Sequence, residues 1–99
     1  MDAALNSQTR KAKRVEVALV TTILLPAGER QEVELRDLSF FGFKAKCAAA
    51  PKSGDYVKVD LPNLGAVRAR VSWARNGFFG GAFATAVDVR KCLAPPQAL

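Results

Sequence analysis

The sequence predicts an all-β chain: six short antiparallel strands closed into a small barrel, followed by one short C-terminal helix. Three observations carry this expectation. Segments 31–38, 43–47, 56–61 and 66–75 alternate apolar and polar residues with period two, as strands with one buried face do. Turn residues punctuate the runs, among them Pro26-Ala27-Gly28, Pro62-Asn63-Leu64-Gly65 and Asn76-Gly77. Six such runs within about seventy residues have the spacing of a compact antiparallel barrel. At 99 residues the chain is the size of one domain.

Residues 1–9 are polar and lack apolar periodicity, so a tail is expected there. Residues 10–14 read Arg-Lys-Ala-Lys-Arg. Four like charges in five positions do not hold a helix, and an extended arm is expected, most simply a solvated one. Segment 15–25, rich in Val, Ile, Thr and Leu, is the first strand. In 31–38, Val33 and Leu35 face one way and Glu32, Glu34 and Arg36 the other. Asp37-Leu38-Ser39-Phe40-Phe41-Gly42 then reverses the chain. An Asp carboxylate and a Ser hydroxyl can bond nearby N–H groups there, and Gly permits close approach. At least one of Phe40 and Phe41 should be buried.

On the third strand Phe43, Ala45 and Cys47 alternate with Lys44 and Lys46. Pro51 and Gly54 make 48–55 a loop. Val57, Val59 and Leu61 then alternate with Lys58 and Asp60. On the fifth strand the same rule sends Val67, Ala69, Val71 and Trp73 inward and Arg68, Arg70 and Ser72 outward, which makes Trp73 a core residue. Segment 79–83 is the last strand, and Gly80-Gly81 within it lets a backbone or ring pack close. The helix is expected within 84–93, capped by Asp88, with Val89 and Leu93, and with them Cys92, toward the barrel. Pro95-Pro96 ends it. The domain is thus 10–93, with tails at 1–9 and 94–99.

A net charge of +6 favours an anionic partner. The absence of histidine removes the commonest general base and metal ligand, so neither catalysis nor a metal site is expected. Glu32 and Glu34 lie on an outer strand face, where carboxylates are ordinarily solvated. The two cysteines, Cys47 and Cys92, read as reduced, small apolar residues of a cytoplasmic protein. The basic cluster before the apolar segment 17–25 has the outline of an export signal. Glu16, two threonines and the lack of a small-x-small site argue against one, and nine residues cannot cross a bilayer.

Binding is the coherent chemistry. Arginine offers a planar fork that matches phosphate oxygens and the O6/N7 edge of guanine, and it stacks on purines. Asp37 can accept from the guanine N1–H and N2–H₂ edge. Ser39 supplies a small donor and acceptor, and Gly42 leaves room for a base. A ligand with central phosphates and terminal guanines suits that set. An Arg-x-x-x-Arg segment at Arg10 and Arg14, followed by Asp-x-Ser-x-x-Gly at Asp37, Ser39 and Gly42, resembles the PilZ domain family. Gly54-Asp55-Tyr56-Val57, Val71-Ser72-Trp73 and Gly80-Gly81-Ala82-Phe83 extend the resemblance in order, from about Arg10 to about Leu93.

The resemblance implies a PilZ-type, Greek-key-like barrel that binds cyclic di-GMP through Arg10, Arg14, Asp37, Ser39 and Gly42, with no other cofactor. It also implies that the arm orders over the nucleotide and that a downstream protein, in motility, adhesion or exopolysaccharide control, reads the result. Two alternatives stand beside it. One is a PilZ-like interaction module that binds no nucleotide, which loss of motif residues would mark. The other is a barrel for single-stranded nucleic acid, which would spread aromatics over its strand faces. Here they cluster at Phe40, Phe41, Phe43, Phe78, Phe79 and Phe83.

Overall fold

The computed structural model describes residues 14–94. Six antiparallel strands, β1 (Val15–Leu24), β2 (Arg30–Leu38), β3 (Gly42–Lys46), β4 (Tyr56–Leu61), β5 (Gly65–Arg75) and β6 (Phe78–Phe83), precede helix α1 (Val89–Leu93). The strands close in the order β1-β2-β3-β6-β5-β4. Three consecutive strands therefore pair, and the fourth returns to lie beside the first, as in a Greek key. The return path is the loop 47–55, as Pro51 and Gly54 foretell.

Strand faces follow the alternation wherever it is unbroken. Val33, Leu35, Ala45, Val57, Val59, Leu61, Ala69 and Val71 are all buried. The Phe43 ring meets Phe79 edge-on at 5.6 Å and lies 5.4 Å from Phe83, so three aromatics fill the centre. Asn76 and Gly77 adopt φ of 55° and 80°, the paired left-handed conformation of a two-residue hairpin turn.

The helix lies within the expected 84–93 and begins only after Asp88, because the chain bends at 84 and 85 and runs without regular structure to 88 as it passes the 38–42 reversal. Val87 N–H donates to the Phe40 carbonyl (2.8 Å) and Phe83 N–H to that of Phe41 (2.9 Å). Asp88 caps α1 as expected, its Oδ1 accepting from Arg90 N–H (3.0 Å). At the other end the Asn63 amide donates to the Lys91 and Ala94 carbonyls, both at 3.0 Å, tying α1 to the β4–β5 turn. Val89 and Cys92 face the core, whereas Leu93 is 39% exposed, contrary to the expectation. One turn of helix presents only a narrow stripe, and Val89 and Cys92 occupy it. Neither α1 nor any other helix among the described residues is long and apolar enough to cross a membrane.

Cys47 and Cys92 are free and buried, and burial pushes both thiols above the usual cysteine range. Both therefore stay protonated at neutral pH. An aromatic disulfide reagent should label them orders of magnitude more slowly in the native chain than in denaturant. Fast native labelling of either one would show that its end of the core opens readily.

Candidate functional site

Three of the barrel's strand pairings carry a bulge. They fall between Glu16 and Leu19 on β1, between Leu35 and Asp37 on β2, and between Val71 and Trp73 on β5. A bulge adds one residue to one strand and exchanges the faces of everything beyond it. On β2 an unbroken alternation from Leu35 would send Asp37 into the core and Leu38 to solvent. The extra residue reverses this: Leu38 is completely buried opposite Phe43, and Asp37 lies on the outside opposite Lys44.

On β5 the same device corrects the sequence reading. Trp73 pairs with Gly80 on the outer face and is half-buried, not a core residue. The indole lies where a Cβ at Gly80 would be, so the glycine makes room for the ring. The loop before β4 holds the bulge in place. Gly54 N–H donates to the Val71 carbonyl (2.7 Å), Val71 N–H to that of Asp55 (2.8 Å), and the Ser53 hydroxyl to that of Ser72 (3.1 Å).

The two re-aimed strands and the β2–β3 reversal enclose a cavity of about 230 Å³. Arg14, Asp37, Ser39 and Gly42 all line it, so four of the five residues singled out from the sequence come together. The fifth, Arg10, lies outside the described residues, as do Lys11 and Lys13. Leu38, Phe43, Ser72, Trp73 and Gly81 complete the wall, and the sequence does not single them out as site residues. Only the glycine pair opposite a tryptophan hints at Trp73 and Gly81, as space kept for a ring.

The motif residues do different work. The Ser39 side chain, the one buried polar residue among those described, accepts from Gly42 N–H (3.1 Å) and Phe41 N–H (3.3 Å). Ser39 N–H in turn donates to the Gly42 carbonyl (2.9 Å), which closes the reversal. At Gly42 a Cβ would sit 2.6 Å from the Gly81 carbonyl oxygen, so only glycine lets β3 approach β6 this closely. The Asp37 carboxylate, by contrast, has no hydrogen bond to any other described residue and the residue is only half-buried, while Arg14 is exposed. Ser39 and Gly42 build the seat, while Asp37 and Arg14 offer it a carboxylate and a guanidinium.

Phe40 and Phe41 are 39% and 53% exposed, so neither enters the core. The reversal is anchored instead through their carbonyls, which accept from Val87 and Phe83. Beyond the cavity, Lys44 Nζ lies 5.2 Å from the Phe78 ring and the Arg75 guanidinium 5.9 Å from that of Trp73. The outer face of β3, β6 and β5 beside the site is thus cationic and aromatic. Among the described residues no group of His, Cys, Asp and Glu is placed to hold a metal ion.

This division of labour makes a testable contrast. Gly42→Ala should cost about 1–3 kcal/mol of unfolding free energy, because backbone must shift to relieve the overlap. Ser39→Ala should cost about 1–3 kcal/mol by removing the acceptor of two partly buried N–H groups. Asp37→Ala should change stability by less than about 0.5 kcal/mol. Urea titrations of the three variants decide it, and an Asp37 variant as unstable as the Gly42 variant would mean the carboxylate is structural.

Residues 8–93 match the family profile described as PilZ domain. No curated protein matches the chain.

Proposed function

Because the chain belongs to the PilZ domain family, we propose that it is a cytoplasmic bacterial receptor for cyclic di-GMP that signals to a partner protein and does not catalyse. The observation that carries this reading is the convergence of Arg14, Asp37, Ser39 and Gly42 on one cavity with an aromatic wall. At about 230 Å³ the cavity suits one purine base rather than a whole cyclic dinucleotide. A guanine enters with its N1–H and N2–H₂ edge toward the Asp37 carboxylate. The remaining phosphates and second base then lie at the mouth, within the field of Arg14.

Recognition divides between shape and charge. The Trp73 ring supplies an apolar surface for stacking, worth about 1–3 kcal/mol per base. Arginine at 14 and at 10 can fork onto a phosphate or the guanine O6/N7 edge, which a point charge cannot do. The Arg10–Arg14 arm closes over the bound dinucleotide, and the surface that results is what a partner reads.

Calorimetric titration with cyclic di-GMP, with GTP and a single-stranded oligonucleotide as controls, tests the reading. Asp37→Ala should weaken binding roughly tenfold or somewhat more, the worth of a bidentate base contact. Arg10→Ala and Arg14→Ala should each cost at least about tenfold, whereas Lys11→Ala and Lys13→Ala, which remove the same charge, should cost little. Equal losses from lysines and arginines would reduce the site to an electrostatic arm. No binding at all would favour an interaction module that takes no nucleotide.

A further inference from the structure

The outer face of β4 and its neighbours carries a second feature, remote from the cavity. In the closed order β4 stands across the barrel from β3, the strand that Gly42 opens. Leu24 pairs with Arg30 on one side and Lys58 on the other, and Lys58 pairs with Arg68. Three of the four side chains in this row across β2, β1, β4 and β5 are therefore cationic. In the adjoining row Tyr56 pairs with Arg70, whose guanidinium lies 6.0 Å from the ring. Tyr56 is 71% exposed.

Like charges directly opposite one another on paired strands destabilise a sheet. Among the described residues no ion pair engages Arg30, Lys58, Arg68 or Arg70. Two carboxylates share this outer face, Asp60 two residues beyond Lys58 and opposite Ala66, and Glu32 two residues beyond Arg30, but neither forms an ion pair among the described residues, and Asp55 Oδ2 accepts from Lys52 N–H (3.0 Å). Between the cations runs a cleft of about 350 Å³, with an apolar floor from Leu24, Leu25, Pro26 and Val57 and with Tyr56 beside it.

We propose that this face docks an acidic protein segment, whose carboxylates meet Lys58, Arg68 and Arg70 while one apolar side chain enters the cleft beside Tyr56. Charge complementarity names the acidic partner, and the aliphatic floor names the apolar anchor. Single-stranded nucleic acid fits less well, because it needs successive aromatic platforms and this face has one ring. The inference does not depend on nucleotide binding at the other site.

The test uses the full chain, isotopically labelled, and the peptide Glu-Glu-Leu-Phe-Glu-Asp-Leu-Glu-Glu as probe. Amide shifts should move on β4, β5 and residues 24–26. Lys58→Ala combined with Arg68→Ala should weaken binding at least about tenfold. The same pair should leave thermal stability unchanged or raise it, since it removes opposed like charges. Lys46→Ala, on β3, should leave peptide affinity unchanged. A peptide with Gly in place of Leu and Phe should bind at least about tenfold more weakly. Four results would overturn the proposal: no shifts at millimolar peptide, shifts spread over the whole surface, equal loss from Lys46→Ala, or tighter binding of a thymidine oligomer than of the peptide on this face.

Discussion

A closed barrel gives each strand only an inside and an outside, so a single inserted residue decides which side chains meet the core and which meet solvent. In this chain that constraint settles the site. Without the extra residue on β2, Asp37 would be driven into the core beside Leu35 and Phe43, where an unpaired carboxylate costs several kcal/mol. With it, Leu38 fills the core and Asp37 turns outward. The bulge on β5 does the same for Val71 and Trp73. The two strands flank the β2–β3 reversal, and the cavity lies between them.

Close backbone approach is the second condition, and glycine supplies it where the strands converge. A Cβ at Gly81 would sit 2.5 Å from the Arg70 carbonyl oxygen and 3.0 Å from the Phe43 ring, and one at Gly42 would meet Gly81 in turn. The Asp-x-Ser-x-x-Gly motif is thus partly architecture. Ser39 spends its hydroxyl on the reversal and Gly42 its missing side chain on the β3–β6 contact, while the Asp37 carboxylate has no partner among the described residues. Residues that shape a seat and a carboxylate left open toward it stand side by side in one six-residue stretch.

How far the sequence discloses this depends on the physics of each element. Val33 and Leu35, or Val57, Val59 and Leu61, are assigned to the core correctly because period-two alternation is unbroken there. Trp73 is misplaced by the same rule, since nothing in the residue type of Ser72 marks an insertion, and the bulge is set by hydrogen bonds to Ser53, Gly54 and Asp55 that arise only on folding. Arg14, Asp37, Ser39 and Gly42 are legible because their spacing is local. Ser72 and Gly81 join them only when β5, β6 and β3 pair. Phe40 and Phe41 defeat the expectation that aromatics seek the core, because the reversal spends their carbonyls on Phe83 and Val87 and turns their rings outward.

Trp73 is the chain's only tryptophan, and its fluorescence reports directly on whether the bulges build an outward-facing, ligand-bearing wall. In the free protein its emission should be that of a half-solvated indole and should be quenched readily by acrylamide. Saturation with cyclic di-GMP should shift the emission and protect the ring from the quencher, with GTP leaving both unchanged. A blue-shifted, quencher-resistant indole in the free protein, unaltered by cyclic di-GMP, would place Trp73 in the core and contradict the account.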